Sequence, residues 1–405
     1  MKYFDALETR SAEQRAEENA VALISQVSRA KSLSGYSEML SGVDAAAIST
    51  TEDLIKLPVL RKSDLTGAQN VKQTLGGFNA RNLEDFGHIF QSPGPIYEPG
   101  GTEHDWWRMG RFIHAAGIGK GDIVQNCFSY HLTPAGMIFE NGARAVGAAI
   151  LPAGIGQTEL QVRAAVDIGT TVYAGTPDFL NVIIEKSIEM GEKLSIKKAV
   201  VGGGALFPSL RQKYANLGIS CFQSYATADL GNIAYESPAM EGMIVDEGVI
   251  VEIVTPGTGN PVTAGEVGEV VVTTLNPDYP LIRFATGDLS VFLPGQSPCG
   301  RTNVRIKGWM GRADQTTKIK GMFVRPGQVA ALVSARDEID RARVIAIREG
   351  EMDAMIVQIE TNSNDASKFE DLVKTHLKIK GTVELCVPGA LPRDGLVIED
   401  QRTYD

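Results

Sequence analysis

Between Asp122 and Val201 the chain alternates short apolar runs with helical patterns, and this alternation constrains its fold more than any other feature. Asp122 to Cys127 reads as a buried strand. Thr133 and Pro134 read as the N-cap and first-turn proline of a helix that stops at Gly147, and Ala148 to Pro152 reads as a second strand. A helix from Thr158 to Ile168 stops at Gly169, and Thr171 to Ala174 is a strand. Thr176 and Pro177 open another helix ending near Gly191, and Lys198 to Val201 is the next strand. Parallel strands need crossover connections, so this spacing implies a parallel sheet covered by helices on both faces. Ligands of such sheets sit at the carboxyl ends of the strands, so the informative loops are those that follow strands.

The flanking segments read differently. A lead helix, with Ser11 and Gln14 as a capping box and Ala16, Ala20, Ile24 and Val27 on one face, precedes a polar, irregular stretch to about Phe86. From Gly242 to Phe292, Val-rich runs such as Val249 to Val254 and Glu269 to Thr274 read as an antiparallel β subdomain, about 242–293. Towards the C-terminus, strands at Arg343 to Ile347 and Ala354 to Glu360 precede a helix from about Asn364 to Lys380. The expected fold class is therefore α/β: a large N-terminal domain (1–310) of mainly parallel sheet covered by helices plus the β subdomain, and a small C-terminal α+β domain (315–405). The hinge between them is expected at 311–314.

Charge and cysteine usage narrow the function. Lys and Arg number 39 against 49 Asp and Glu, and a net charge of −10 repels a phosphodiester backbone, so no nucleic-acid partner is expected. Cys127, Cys221, Cys299 and Cys386 form no CxxC pair, which fits a reducing cytoplasm better than a disulfide framework. No apolar run approaches the roughly 18 residues of a membrane span, and no membrane partner is expected.

The chain has no GxxxxGK[ST], HExxH, GxSxG or EF-hand loop, which demotes P-loop NTPases, zinc proteases and serine hydrolases. Gly117 to Gly121 precedes a strand and reads as a turn. Val201-Gly202-Gly203-Gly204-Ala205 follows one, so its glycines either let a flat ligand lie on bare backbone or make a tight strand-to-helix turn. Tyr225, in Gln223 to Asp229, also follows a strand, where an aromatic can stack on a base and Asp229 can hold a metal ion. Arg283-Phe284-Ala285-Thr286-Gly287-Asp288 is the most specific string. A carboxylate after a Gly bend can accept hydrogen bonds from both hydroxyls of a ribose, or it can cap a hairpin.

Taken in order with Gly119 to Asn126, Gly311-Arg312-Ala313-Asp314 and Pro388 to Arg393, these strings resemble the adenylate-forming (acyl-CoA synthetase) superfamily, specifically its phenylacetate-CoA ligase branch. The resemblance spans most of the chain. It implies an enzyme that uses ATP and Mg to join a small carboxylic acid to AMP, then rotates a small mobile domain so that coenzyme A takes the acyl group. It implies that Gly203, Gly204 and Ala205 line the adenine and acyl pocket, that Tyr225 packs beside the adenine and that Asp288 grips the ribose. Arg312 would add a nucleotide contact, Asp229 would bind Mg, and Asp314 would be the hinge residue. Tyr130 and His131 would approach the acyl substrate. An aryl acid and a homodimer are also implied by resemblance alone.

Three departures accompany the likeness. The family's triphosphate loop is rich in Ser, Thr and Gly, but here it reads Gln91-Ser92-Pro93-Gly94-Pro95-Ile96-Tyr97-Glu98-Pro99, of which only Ser92 and Gly94 suit phosphate. The family's catalytic lysine position is Leu396, which supplies no charge; such a donor is commonly worth about 3–4 kcal/mol in the transition state. The usual Mg-binding Glu is the shorter Asp229. Where some relatives carry zinc, Ser237, Ile244, Ser297 and Cys299 leave one ligand of four, so no zinc is expected. A ligase, a non-catalytic relative binding AMP, acyl-adenylate or acyl-CoA, and an ATP-independent acyl transferase all remain open.

Overall fold

The computed structural model describes residues 2–70, 73–92, 95–204, 206–313, 315, 317–320, 322–349, 352–392 and 396–402, with backbone alone for residues 318, 323, 349 and 352. The chain divides into a larger unit, Met1–Thr286 with Val291–Gly308, and a smaller one, Gly287–Ser290 with Trp309–Asp405. The return of Gly287–Ser290 to the smaller unit was not anticipated from the sequence.

The larger unit is built on a sheet that contains, among the described residues, nine strands. Ala149–Pro152, Ile123–Asn126, Val172–Gly175, Lys198–Val201 and Ser220–Thr227 lie parallel in that order. Gly231–Glu236 and Met243–Val245 continue it antiparallel. The parallel strands carry apolar side chains at successive positions because both faces are covered. Val172, Ala174 and Val200 pack with Phe112, Ile138 and Phe139 on one face, while Tyr173, Ala199 and Val201 pack with Leu180, Ile184 and Tyr214 in a separate cluster. The helices between these strands match the sequence signals closely: Thr158–Ile168 ends at Gly169 with φ +73°, and Pro177–Glu189 begins after the N-cap Thr176. The helix expected from Thr133 runs Ala135–Ala145 with Pro134 at its N-cap.

Three expectations need correction. The β subdomain is not self-contained. Met243–Val245 belongs to the nine-stranded sheet, while Val249–Val254 and Gly268–Thr274 join a second sheet that recruits Leu60–Arg61 from the N-terminal stretch. That stretch is less polar in effect than it looks, because Leu40, Leu54, Leu57, Leu60, Leu65 and Phe78 are buried in the same core. The lead helix, Ala12–Lys31, is capped by Ser11, whose hydroxyl accepts from the Gln14 N–H at 3.1 Å, yet its inward face differs from the apolar stripe. Ala16 is exposed, and the buried residues are Arg15, Leu23, Gln26, Val27 and Ala30. Arg15 turns inward because Glu247 receives it at 3.0 Å, and Gln26 because it donates to the Thr274 and Asn276 carbonyls at 2.7 and 2.6 Å.

In the smaller unit, Arg341–Glu349 and Met352–Glu360 form an antiparallel pair flanked by Ile398–Asp400 and Thr382–Cys386, each parallel to its neighbour. Helices Pro326–Ser334 and Ser367–Leu377 bury Val329, Leu332, Phe369, Val373 and Leu377 against it. The expected helix 364–380 is thus shorter at both ends.

Candidate functional site

In the larger unit the carboxyl ends of the parallel strands gather most of the residues singled out by sequence. Gly203, with φ +67°, and Gly204 are exposed just beyond Lys198–Val201. A Cβ on Gly203 would sit 3.7 Å from Phe128 and 3.9 Å from Thr176, so this bare backbone adjoins the loop after Ile123–Asn126. That loop carries Tyr130 and His131. The Tyr130 hydroxyl donates to Glu140 Oε2 at 3.0 Å and accepts from Asn126 Nδ2 at 2.8 Å, and burial, then the Glu140 carboxylate, push its pKa upward. His131 is exposed.

The proline-bearing segment forms a hairpin of His88–Ser92 and Ile96–Gly100, tied to the Tyr130 loop by the Gln91 N–H donating to the Leu132 carbonyl at 2.8 Å. Ser92 is buried at its end; Gly94 lies outside the described residues, as do Ala205, Asp314 and Arg393 to Gly395. Glu98 is 0 % exposed, and neither of its carboxylate oxygens has a hydrogen-bond partner. Burial and the neighbouring Asp229 carboxylate push its pKa up to about 8, with Ser92 and Lys62 offsetting only part of the effect. Asp229 is itself buried. Its Oδ2 receives the Lys62 ammonium at 3.1 Å, whereas its Oδ1 has no partner. Tyr279, wholly buried with an unpartnered hydroxyl, faces the same two acids, and burial followed by their charge drives its pKa well up.

Tyr225 is buried, and its hydroxyl lies 3.0 Å from Thr286 Oγ1, which donates on to the Val270 carbonyl at 3.0 Å. The tyrosine is thereby pinned to the second sheet. Arg283, in the string that looked most specific, is a structural residue. It is 2 % exposed, doubly bonded to Glu252 at 2.9 and 3.0 Å, and donates to the Leu57 and Gly259 carbonyls at 2.7 Å each. Cys299 keeps two of its aligned neighbours. Ser297 and Ser237 both hydrogen-bond its thiol, and with Arg301 they outweigh burial to lower its pKa. Ile244 is buried in the adjoining core. Among the described residues no group of three or more His, Cys, Asp or Glu is arranged to hold a metal ion.

The smaller unit holds Asp288 and Arg312, which form an antiparallel bridge. Arg312 Nη1 donates to Asp288 Oδ1 at 3.2 Å, and the indole N–H of Trp309 donates to the same oxygen at 3.0 Å. Gly287 has φ +73°, and a Cβ there would meet Arg312 Nη2 at 2.7 Å, so only glycine leaves the guanidinium its place. Leu396 is 40 % exposed.

Sequence reasoning missed Lys62, Tyr279 and Trp309. Lys62 opens the short helix Lys62–Ala68 and Tyr279 lies in an irregular loop, so neither carried a pattern. Trp309, one of three tryptophans and three residues before Arg312, was available to a reader of composition.

The chain is similar in sequence to phenylacetate-coenzyme A ligases and shares its fold with acyl-CoA ligases. No protein-family model matches it. A phenylacetate-coenzyme A ligase of Thermus thermophilus is 29 % identical over 339 residues, 80 % of this chain and 75 % of that protein. One of Escherichia coli is 27 % identical over 383 residues, 86 % of each. Among solved structures, 2-hydroxyisobutyryl-CoA ligase in an open conformation with 2-HIB-AMP and CoA superimposes with a TM-score of 0.82. It is 20 % identical and covers 97 % of this chain and 93 % of its own. No described helix is long and apolar enough to cross a membrane.

Proposed function

We propose that this chain activates a carboxylic acid as its acyl-adenylate and passes the acyl group to coenzyme A. The observation that carries this is the alignment with phenylacetate-coenzyme A ligases along 80–87 % of the chain. In the first half-reaction a carboxylate oxygen displaces pyrophosphate from the α-phosphorus of ATP; in the second a thiol displaces AMP from the acyl carbon. The acid is an aryl or arylacetic one, and the protein works in the cytoplasm as a homodimer.

The residues suit the nucleoside better than the outer phosphates. Exposed backbone at Gly203 and Gly204 can lie against a base, Tyr225 braces the same unit, and the Asp288 carboxylate is of the kind that accepts a ribose diol. Arg312 adds a nucleotide contact, and Tyr130 and His131 stand by the acyl group. Asp314 serves as the hinge. Mg, when bound, would neutralise phosphate charge. Asp229 Oδ1 and the Glu98 oxygens, buried carboxyl oxygens without a hydrogen-bond partner, would hold it, although Lys62 already supplies one positive charge there.

Glu98 favours a second reading. A buried carboxyl in the loop expected to meet a triphosphate, with Leu396 in place of the lysine, suits a protein that binds AMP or an acyl-CoA and does not cleave ATP. The deciding measurement is pyrophosphate exchange into ATP with phenylacetate and Mg. Acid-dependent exchange is the expected outcome; tight AMP or acyl-CoA binding without exchange would establish the second reading.

A further inference from the structure

Trp309 spends an exposed aromatic ring to place one hydrogen bond. Its side of the smaller unit leaves it 48 % exposed, yet its N–H is turned onto Asp288 Oδ1 at 3.0 Å. Burying that ring elsewhere would have contributed more to stability than a single polar contact, so the contact itself needs an explanation. Backbone bonds hold the two segments in register: Leu289 N–H to the Gly311 carbonyl at 2.8 Å, Met310 N–H to Leu289 at 2.9 Å, and Ala313 N–H to Gly287 at 2.7 Å. Within that frame an Asp side chain still turns about its own bonds. Trp309 and Arg312 converge on one of its two oxygens. Two donors on Oδ1 hold the plane of the carboxylate.

On the reading of Asp288 as the ribose acceptor, we infer that Trp309 is a positioning residue that presets the Asp288 carboxylate for a vicinal diol. The ligand class is a ribonucleotide with both sugar hydroxyls free. The same oxygen is also held by Arg312, but an arginine that additionally contacts nucleotide cannot be tested for positioning alone, whereas Trp309→Phe keeps the ring and removes only the N–H.

The test is calorimetric affinity for AMP and for 2′,3′-dideoxy-AMP, compared as a ratio in the full-length protein. Wild type prefers AMP, and Asp288→Ala brings the ratio to near unity. Trp309→Phe lowers it by about tenfold, the scale of a lost hydrogen bond to a charged group, and leaves dideoxy-AMP affinity unchanged. Trp309→His, which restores an N–H donor, recovers part of the ratio. If Asp288→Ala leaves the ratio intact, or wild type shows no diol preference, the ribose assignment falls and the inference with it. If Asp288→Ala abolishes the preference but Trp309→Phe does not change it, or Trp309→Phe weakens both ligands equally, the assignment stands and the positioning role is refuted.

Discussion

Glu98 has a wholly buried side chain without a partner, and its cost depends on pH. Its folded pKa of about 8 lies above the usual carboxylate value of 4.5, so the folded chain keeps a proton that the unfolded chain releases. Stability from this group is therefore greatest below pH 4.5, declines as pH rises towards 8, and is level above that. The steepest loss is about 1.4 kcal/mol per pH unit. Glu98→Gln should remove this decline, so that urea unfolding at pH 5, 7 and 9 shows the variant gaining on wild type as pH increases. A constant difference across the three would mean that Glu98 is already ionised in the folded protein. The sequence disclosed that an acid stood in the loop but not that it was buried, nor that it shares its surroundings with Asp229 and Tyr279, far along the chain.

At the scale of the element, the strand Phe284–Ser290 shows what a pattern can and cannot convey. Its string is distinctive in sequence, but the first residue before it, Arg283, serves the fold by bonding Glu252 and two carbonyls of remote loops. Arg283→Met should cost about 3–5 kcal/mol, mostly from stranding the Glu252 carboxylate, and Arg283→Met with Glu252→Leu should recover much of it. Recovery would be read as a higher denaturation midpoint in the double variant than in the single one. The central parallel strands Val172–Gly175 and Lys198–Val201 were legible because nearly every position in them is buried and the helices before and after Val172–Gly175 are bounded by glycine or proline. The lead helix was legible at its N-cap Ser11, but its inward face was not. Arg15 and Gln26 are buried by partners more than two hundred residues away, Glu247, Thr274 and Asn276, and a helical period of apolar residues carries no trace of them.

The whole molecule contains two units with separate cores. The smaller gathers Phe369, Val373 and Leu377 around its own sheet, and none of these belongs to the clusters of the larger unit. Phe369→Ala should cost the smaller unit about 3–5 kcal/mol through the cavity it leaves. Scanning calorimetry should resolve two transitions and show only one displaced; a single transition moving as a whole would contradict independent cores. The sequence reading set a hinge at 311–314, and the smaller unit begins its main run at Trp309. The assignment of Gly287–Ser290 to the smaller unit was invisible, since it rests on backbone pairing with Met310, Gly311 and Ala313 and not on residue type.

Trp106 and Trp107 lie in the larger unit and Trp309 alone in the smaller. Replacing the first two by phenylalanine would leave a protein with a single indole emitter, hydrogen-bonded to the carboxylate proposed to hold the sugar and open to solvent on its other side. The chain therefore contains its own optical probe, and the colour of that emission would follow each change at Asp288 without any attached dye.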